Sequence, residues 1–287
     1  MTAQGTGHSG HDGAVSVVIA ARNEEGYIGD CLRSLLAQDA DAGAVQVIVA
    51  ANACTDRTAG VAAGFAPRFA ERGWQLDVIE VPEPGKPNAL NAGDAAAHGG
   101  MRAFLDADVR LDPAMLGQLR AALAPDAPLY ATGTLAVTRA ESWVTRQYAR
   151  LWVDLPFVRG GAVGAGLFAV NKAGRARWGD FPAIISDDTF VRLQFTPEER
   201  IEVPARYHWP MVEGFGNLVR VRRRQDEGVR ELHRLWPGLA DREAKDTLSR
   251  AQLAGLFLRK PVPFIVYALV HVAVRLKRSG TEWTRGR

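Results

Sequence analysis

Cysteine is scarce: Cys31 and Cys54 are the two in 287 residues, and they stand in no metal-binding or redox spacing. Both read as structural thiols, which suits a reducing compartment. The apolar stretch at 262–274 stops short of the roughly 20 residues a membrane-spanning helix needs. The first thirteen residues lack the apolar core of a signal peptide and are rich in Gly, Ser, Thr and His, so 1–13 is expected to be a flexible tail in which His8 and His11 stay solvated. Charge of neither sign is in large excess. The formal net charge is +3, with the basic surplus late, around 220–224 and 259–278, so no nucleic-acid partner is called for. What the chain does have, 47% hydrophobic and 23% charged residues, argues for a folded globular protein long enough for one large α/β domain, or for one such domain with an appended segment.

Strand and helix patterns alternate through the first half. The β-branched run 15–21 stops at Arg22-Asn23-Glu24-Glu25, before Tyr27, Ile28, Cys31, Leu32, Leu35 and Leu36 recur at helical spacing. Asn23 suits a helix N-cap, with Glu24 and Glu25 near the positive end of the dipole. A second strand, 45–51, ends in Asn52-Ala53-Cys54-Thr55-Asp56-Arg57-Thr58, and a third, 76–81, is followed by a turn containing Gly85 and Lys86 and a helix over about 88–98. The fourth, 101–105, runs into Asp106-Ala107-Asp108, with Pro113 downstream to open a helix. Such alternation predicts right-handed βαβ crossovers, a mainly parallel Rossmann-like sheet flanked by helices, and a ligand crevice beyond the carboxyl ends of the strands.

The second half is less regular. It reads as a strand over 129–138, a helix over 143–155, a glycine-rich loop at 160–166 and a strand at 167–170. Ile184-Ile185 then runs into Ser186-Asp187-Asp188-Thr189-Phe190, which reads as acids in a helix's first turn. Arg220, Arg222, Arg223 and Arg224 give a guanidinium density suited to phosphate oxygens, anionic headgroups or a solvated helix face. Residues 262–274, apolar on every side if helical and bracketed by Arg259-Lys260 and Arg275-Lys277-Arg278, must be buried in protein or lipid.

Taken in order, these motifs resemble those of the family 2 glycosyltransferases, inverting enzymes of GT-A fold. Asn23-Glu24-Glu25 is similar to the family's Asn-Glu-Glu, and residues 52–58 to its Asp-Gly-Ser-x-Asp-x-Thr. Lys86-Pro87-Asn88-Ala89-Leu90-Asn91-Ala92-Gly93 is similar to Lys-x-x-Ala-Leu-Asn-x-Gly, Asp106-Ala107-Asp108 to the Asp-x-Asp metal motif, and Asp187-Asp188 to the Glu-Asp that carries the general base. The resemblance spans roughly 15–228. It departs where the family has an aspartate pair and this chain has Ala51-Asn52. It departs again at Val221-Arg222-Arg223-Arg224-Gln225, which keeps the arginine of the processive Gln-x-x-Arg-Trp motif and lacks its glutamine and tryptophan.

The resemblance implies transfer of a sugar from a nucleotide diphosphate-sugar to an acceptor hydroxyl, in cell-surface polysaccharide, glycolipid or related glycoconjugate synthesis. Asp108, with Asp106, would hold Mg²⁺ or Mn²⁺, with His208 as a further ligand or a structural histidine. Asp188, beside Asp187, would take the acceptor proton. Asn23, Glu24, Asn52, Asp56, Lys86, Asp106 and Arg224 would contact the nucleotide or its diphosphate. The expected organisation is a tail at 1–13, a catalytic domain at 14–235 divided into a nucleotide-sugar half (14–112) and an acceptor half (113–235), and a helical, basic-flanked segment at 236–287. The active site belongs in the cytoplasm, with 262–274 either lying in the cytoplasmic face of a membrane, where the acceptor could be lipid-linked, or packed on the catalytic domain. Two rivals are a non-catalytic subunit that binds a nucleotide sugar or the membrane, and a sugar nucleotidyltransferase. The second would need a glycine-rich triphosphate cradle where this chain has Arg22-Asn23-Glu24-Glu25.

Overall fold

The computed structural model describes residues 13–159, 161–243 and 248–276. Most of the expected tail, Gly160, Lys277 and Arg278 lie outside the described residues. In the first half β1 (Val15–Ala21) leads to α1 (Ile28–Leu36), and β2 (Val45–Asn52) to α2 (Thr58–Ala63) and α3 (Ala66–Glu71). Then β3 (Gln75–Val81) leads to α4 (Lys86–Ala96), and β4 (Met101–Asp106) to the short β5 (Arg110–Leu111) and α5 (Met115–Ala122). The second half contains β6 (Tyr130–Val137), α6 (Trp143–Trp152), β7 (Leu167–Asn171), α7 (Lys172–Arg175), α8 (Asp187–Arg192), β8 (Arg200–Trp209), α9 (Phe215–Leu235), α10 (Arg250–Arg259) and α11 (Pro261–Leu276).

All eight strands join one sheet in the order β3-β2-β1-β4-β7-β6-β8-β5. Pairs β1/β2, β2/β3, β1/β4 and β6/β8 are parallel, while β7 runs antiparallel to β4 and β6, and β5 to β8. The α/β architecture with a mainly parallel sheet, flanking helices and a helical C-terminal segment is the one expected. Strands covered on both faces need apolar residues throughout, and β2 is buried at every position. Successive residues of β1 serve opposite faces: Val17 and Ile19 enter the core shared with α1 and α5, and Val18 the core shared with α4 and α8. Strand order reverses between β1 and β4, and Ala20 of β1 is in register with Asp106 at the end of β4. The crevice required at such a switch point opens there.

Three local readings change. Helix α4 begins at Lys86, because Pro87 fits the first turn of a helix, where no backbone N–H is needed. Asn23 is no N-cap: α1 is preceded by Tyr27, and Asn23 has left-handed backbone, φ 52°. Pro113 lies ahead of α5, which starts at Met115. Strand β8 gives no strand signal in the sequence, because it contains Pro204, which cannot donate to a ladder. The register with β6 jumps from Gly133↔Val203 to Thr134↔Arg206, so Pro204 falls in a bulge where no ladder bond is asked of it.

Helix α11 packs on α6 and α9 through Val266 and Val270, which join Tyr148, Trp152, Leu218 and Val219 in a third apolar cluster. Its other face is exposed, with Ile265, Leu269 and Val272 each about half accessible or more. At 1.5 Å per residue its 16 residues reach about 24 Å, and no helix among the described residues is long and apolar enough to cross a membrane.

Candidate active site

The site is assembled at strand ends. Asp106 closes β4, where its N–H donates to Gly166 O (2.9 Å), and the Val109 N–H returns to Asp106 O (3.1 Å), making the turn that carries Asp108. Gly166 is required there: its φ is +80°, and a Cβ would come within 2.9 Å of Trp209 and Val109. From α4, Lys86 reaches both halves of the chain, its Nζ lying 3.0 Å from Asp106 Oδ1 and 3.1 Å from Asp187 Oδ2. Asp187 is buried at 5% exposure, so this ion pair meets a charge that water cannot.

Asp188, beside it in the first turn of α8, accepts from the Thr189 N–H (2.6 Å) and hydroxyl (3.3 Å), both on Oδ1, which leaves Oδ2 for an incoming group. Burial, followed by the Asp187 charge, raises its pKa to about 6, while Lys86 and the Thr189 N–H pull the other way. For Lys86 itself burial opposes the ammonium, and Asp106, Asp187 and Asp188 together outweigh it, so its pKa stands above the ordinary lysine value.

Eight of the residues singled out by sequence line one cavity of about 320 Å³: Glu24, Asn52, Lys86, Asp106, Asp108, Asp187, Asp188 and Arg224. Asn23, Asp56 and His208 do not. Asn23 ties the β1 and β2 loops together, its Oδ1 accepting from the Thr55 N–H (2.7 Å), and Asp56 Oδ1 accepts from the Thr58 N–H (3.0 Å) at the start of α2. His208 pairs with Asp112 (2.8 Å) on the β5–β8 edge. Asn52, though in the cavity wall, is 2% exposed and holds the turn before α4, its amide donating to the Val81 and Glu83 carbonyls and accepting from the Gly85 N–H (2.8 Å).

The arginine-rich stretch divides along α9. Arg224 faces this cavity, whereas Arg223 donates to the Ala273 carbonyl (3.1 Å) at the end of α11. Sequence reasoning missed Arg22, next to a recognised motif, and Trp209, which lines the cavity and stacks on Trp152 at 5.7 Å. No local pattern marks Trp209, because its neighbours in space come from α6 and the glycine loop.

The donor set suits a divalent cation of the Mg²⁺ or Mn²⁺ type. Asp106 and Asp108 offer hard oxygens on one cavity wall, and such ions commonly use one or two carboxylates, with water and substrate phosphates supplying the rest. No group of three or more metal-ligating side chains occurs among the described residues, so a bound ion would depend on those further oxygens.

The sequence profile described as Glycosyl transferase family 2 matches residues 16–176, more than half of the chain. Three solved structures share the fold. TarS of S. aureus, residues 1–349 in complex with UDP-GlcNAc, aligns at 17% identity and TM-score 0.53, covering 70% of this chain and 59% of that one. The mannosyltransferase PcManGT from Pyrobaculum calidifontis, in complex with GDP-Man and Mn²⁺, aligns at 19% and 0.57, covering 95% and 79%. Glucosyl-3-phosphoglycerate synthase from Mycobacterium tuberculosis, in complex with Mn²⁺, UDP and phosphoglyceric acid, aligns at 17% and 0.50, covering 83% and 81%. This chain thus spans under two thirds of the TarS chain. No curated protein matches the sequence.

Asn52→Ala would strip the Gly85 N–H and two carbonyls of their partner. The expected cost is about 2 kcal/mol of folding stability, read as a lower denaturant midpoint with unchanged slope; an unchanged midpoint would show that water replaces the amide.

Proposed function

Since the chain belongs to glycosyl transferase family 2, we propose that it moves a sugar, with inversion, from a nucleotide diphosphate-sugar to an acceptor hydroxyl, in the synthesis of a cell-surface polysaccharide, glycolipid or related glycoconjugate. The observation that carries this reading is the meeting, in one cavity, of Asp106 and Asp108, Lys86, Arg224 and the half-buried Asp188. A diphosphate leaving group gains negative charge as the glycosidic bond breaks, and preorganised cations lower the energy of that state. A divalent ion bound through Asp108 and Asp106 would neutralise diphosphate charge; Mn²⁺ accompanies the nucleotide in two of the structural relatives, which supports this choice. Lys86 and Arg224 add fixed positive charge at the same wall. Asp188, through Oδ2, takes the acceptor proton as the acceptor oxygen attacks the anomeric carbon. A non-catalytic binding subunit would have no use for Asp188 in the same cavity as the carboxylates proposed to hold the metal, Asp106 and Asp108.

Three outcomes test this. A panel of nucleotide sugars screened for nucleoside diphosphate release identifies the donor. With that donor, Asp188→Asn should lower kcat roughly 100-fold or more with little change in donor affinity. The base must be ionised, so kcat should rise with pH through about 6 and level off above it. In Lys86→Gln that limb should move to higher pH, because the ammonium holds the Asp188 pKa down. A pH-independent rate across this range would remove Asp188 from the role.

For the cation, Asp108→Ala or a chelator should abolish turnover and weaken nucleoside diphosphate binding in calorimetry. Undiminished binding and turnover in chelator would sink the assignment.

The exposed faces of α10 and α11 support a peripheral place on an anionic, cytoplasmic membrane surface. Phe257, Leu258, Ile265 and Leu269 are exposed near Arg250, Arg259 and Arg275. The double variant Ile265→Glu, Leu269→Glu, which spares the buried Val266 and Val270, should bind anionic liposomes at least tenfold more weakly than the parent chain. Equal partition of both would overturn the placement.

A further inference from the structure

On the far side of Asp188 lies a second cavity of about 340 Å³. Ala165, Ser186, Asp188 and Gln225 line both cavities and form the wall between them. The lining of the second cavity combines apolar side chains, Trp152, Phe157 and Val229, with several guanidinium groups. Arg192 follows Asp188 by four residues on α8, so the two side chains leave one face of the helix about 5–6 Å apart at Cβ.

Four guanidinium groups, of Arg159, Arg192, Arg200 and Arg222, face three carboxylates, of Asp188, Asp226 and Glu243. Arg192 pairs with Glu243, Arg222 with Asp226 (3.1 Å), and Arg159 with Asp154. Arg200 differs: it donates to the carbonyls of Arg192 (3.1 Å), Phe195 (2.7 Å) and Arg242 (2.6 Å), and no carboxylate among the described residues ion-pairs with it. Its charge is half-buried beside a second guanidinium, and burial, followed by the Arg192 charge, lowers its pKa to about 10. The Nε of Arg222 is buried with no hydrogen-bond partner. A guanidinium charge such as that of Arg200, crowded by Arg192 and paired with no carboxylate, and an N–H such as Arg222 Nε that lacks an acceptor, are both served by an oxyanion, and the guanidinium fork matches phosphate best.

We propose that the second cavity is the acceptor site, and that it takes an acceptor carrying a phosphate-class anionic group, with the reacting hydroxyl at Asp188 and the anion among Arg192, Arg200 and Arg222. The inference rests on the glycosyltransferase reading of the first cavity. The acceptor O–H gives its proton to Asp188, its oxygen bonds to the anomeric carbon, and the carbon–oxygen bond to the nucleoside diphosphate breaks with its electron pair leaving on the diphosphate. The Asp188 to Arg192 spacing sets the match: a hydroxyl and a phosphate within one small alcohol or at one lipid headgroup.

The test uses the full chain and the donor found by the panel, with acceptors in matched pairs: an alcohol and its phosphate ester in water, and the same pair on lipid in detergent micelles. The phosphorylated member of a pair should have a KM at least tenfold below its neutral counterpart; whether the aqueous or the micellar pair responds tells soluble from lipid-borne acceptors. Arg200→Gln and Arg222→Gln should each raise that KM about tenfold or more, with the donor KM changed less than twofold. Inorganic phosphate should inhibit competitively against the acceptor and not against the donor, a reading that holds even if both variants fail to fold. Equal KM values within each pair, or phosphate competing only with donor, would overturn the acceptor assignment while leaving the transfer reaction standing. No nucleoside diphosphate release from any nucleotide sugar, with water or any acceptor, would overturn the parent reading and this one with it.

Discussion

One ammonium group allows the rest of the site to exist. Asp106, Asp187 and Asp188 converge from β4 and α8, and carboxylates this close resist shared ionisation. Lys86 lies within 3.1 Å of two of them and is the charge that makes their approach tolerable. It also joins the two halves of the chain, because Asp106 ends the last parallel strand of the first half whereas Asp187 opens a helix some eighty residues later. A buried carboxylate such as Asp187 is costly without a partner, so the pair favours the register in which α8 meets the strand ends.

The loops around that pair have no sheet ladder to satisfy their backbone groups, and side chains take over. Asn52 does this for the turn before α4 and so fixes where Lys86 begins; Asn23 does it between the β1 and β2 loops. Gly166 lets the chain pass close enough to bond the Asp106 N–H. Residues that resemble ligand contacts in sequence thus also help set the positions from which Lys86, Asp106 and Asp108 face the cavity.

This explains what could be read in advance and what could not. Strands β1, β2 and β4 announce themselves because a parallel strand covered on both faces is an unbroken apolar run, and the acids after β4 stand where such a run ends. Strand β8 hides behind Pro204 and alternating charge, and only the bulge opposite Gly133 makes it a strand. Motif spacing picked out eight residues that line the first cavity, but it could not tell Asn52, whose amide is occupied by the turn, from Asp106, whose carboxylate is exposed to the crevice. The run of arginines read as one patch, yet a helix turns about 100° per residue, and Arg222, Arg223 and Arg224 point to three different neighbourhoods. The second cavity draws its walls from residues within 152–159, 161–165, 186–200 and 222–229 and from Glu243, so no local pattern could signal it.

The division of cations between two cavities bears on the chemistry proposed. A nucleotide diphosphate and an anionic acceptor repel each other, and if both entered one open pocket they would compete for the same positive groups. Here Lys86 and Arg224 face one cavity, and Arg192, Arg200 and Arg222 the other, with Asp188 and Gln225 in the partition. Asp188 is the ionisable member of that wall, so it is the group that can touch an acceptor on one side while the donor sits on the other. Its pKa of about 6 follows from the same placement: burial and Asp187 push it up, and Lys86 pulls it down. The ammonium that stabilises Asp106 and Asp187 therefore also helps set the strength of Asp188, the base proposed to face the acceptor.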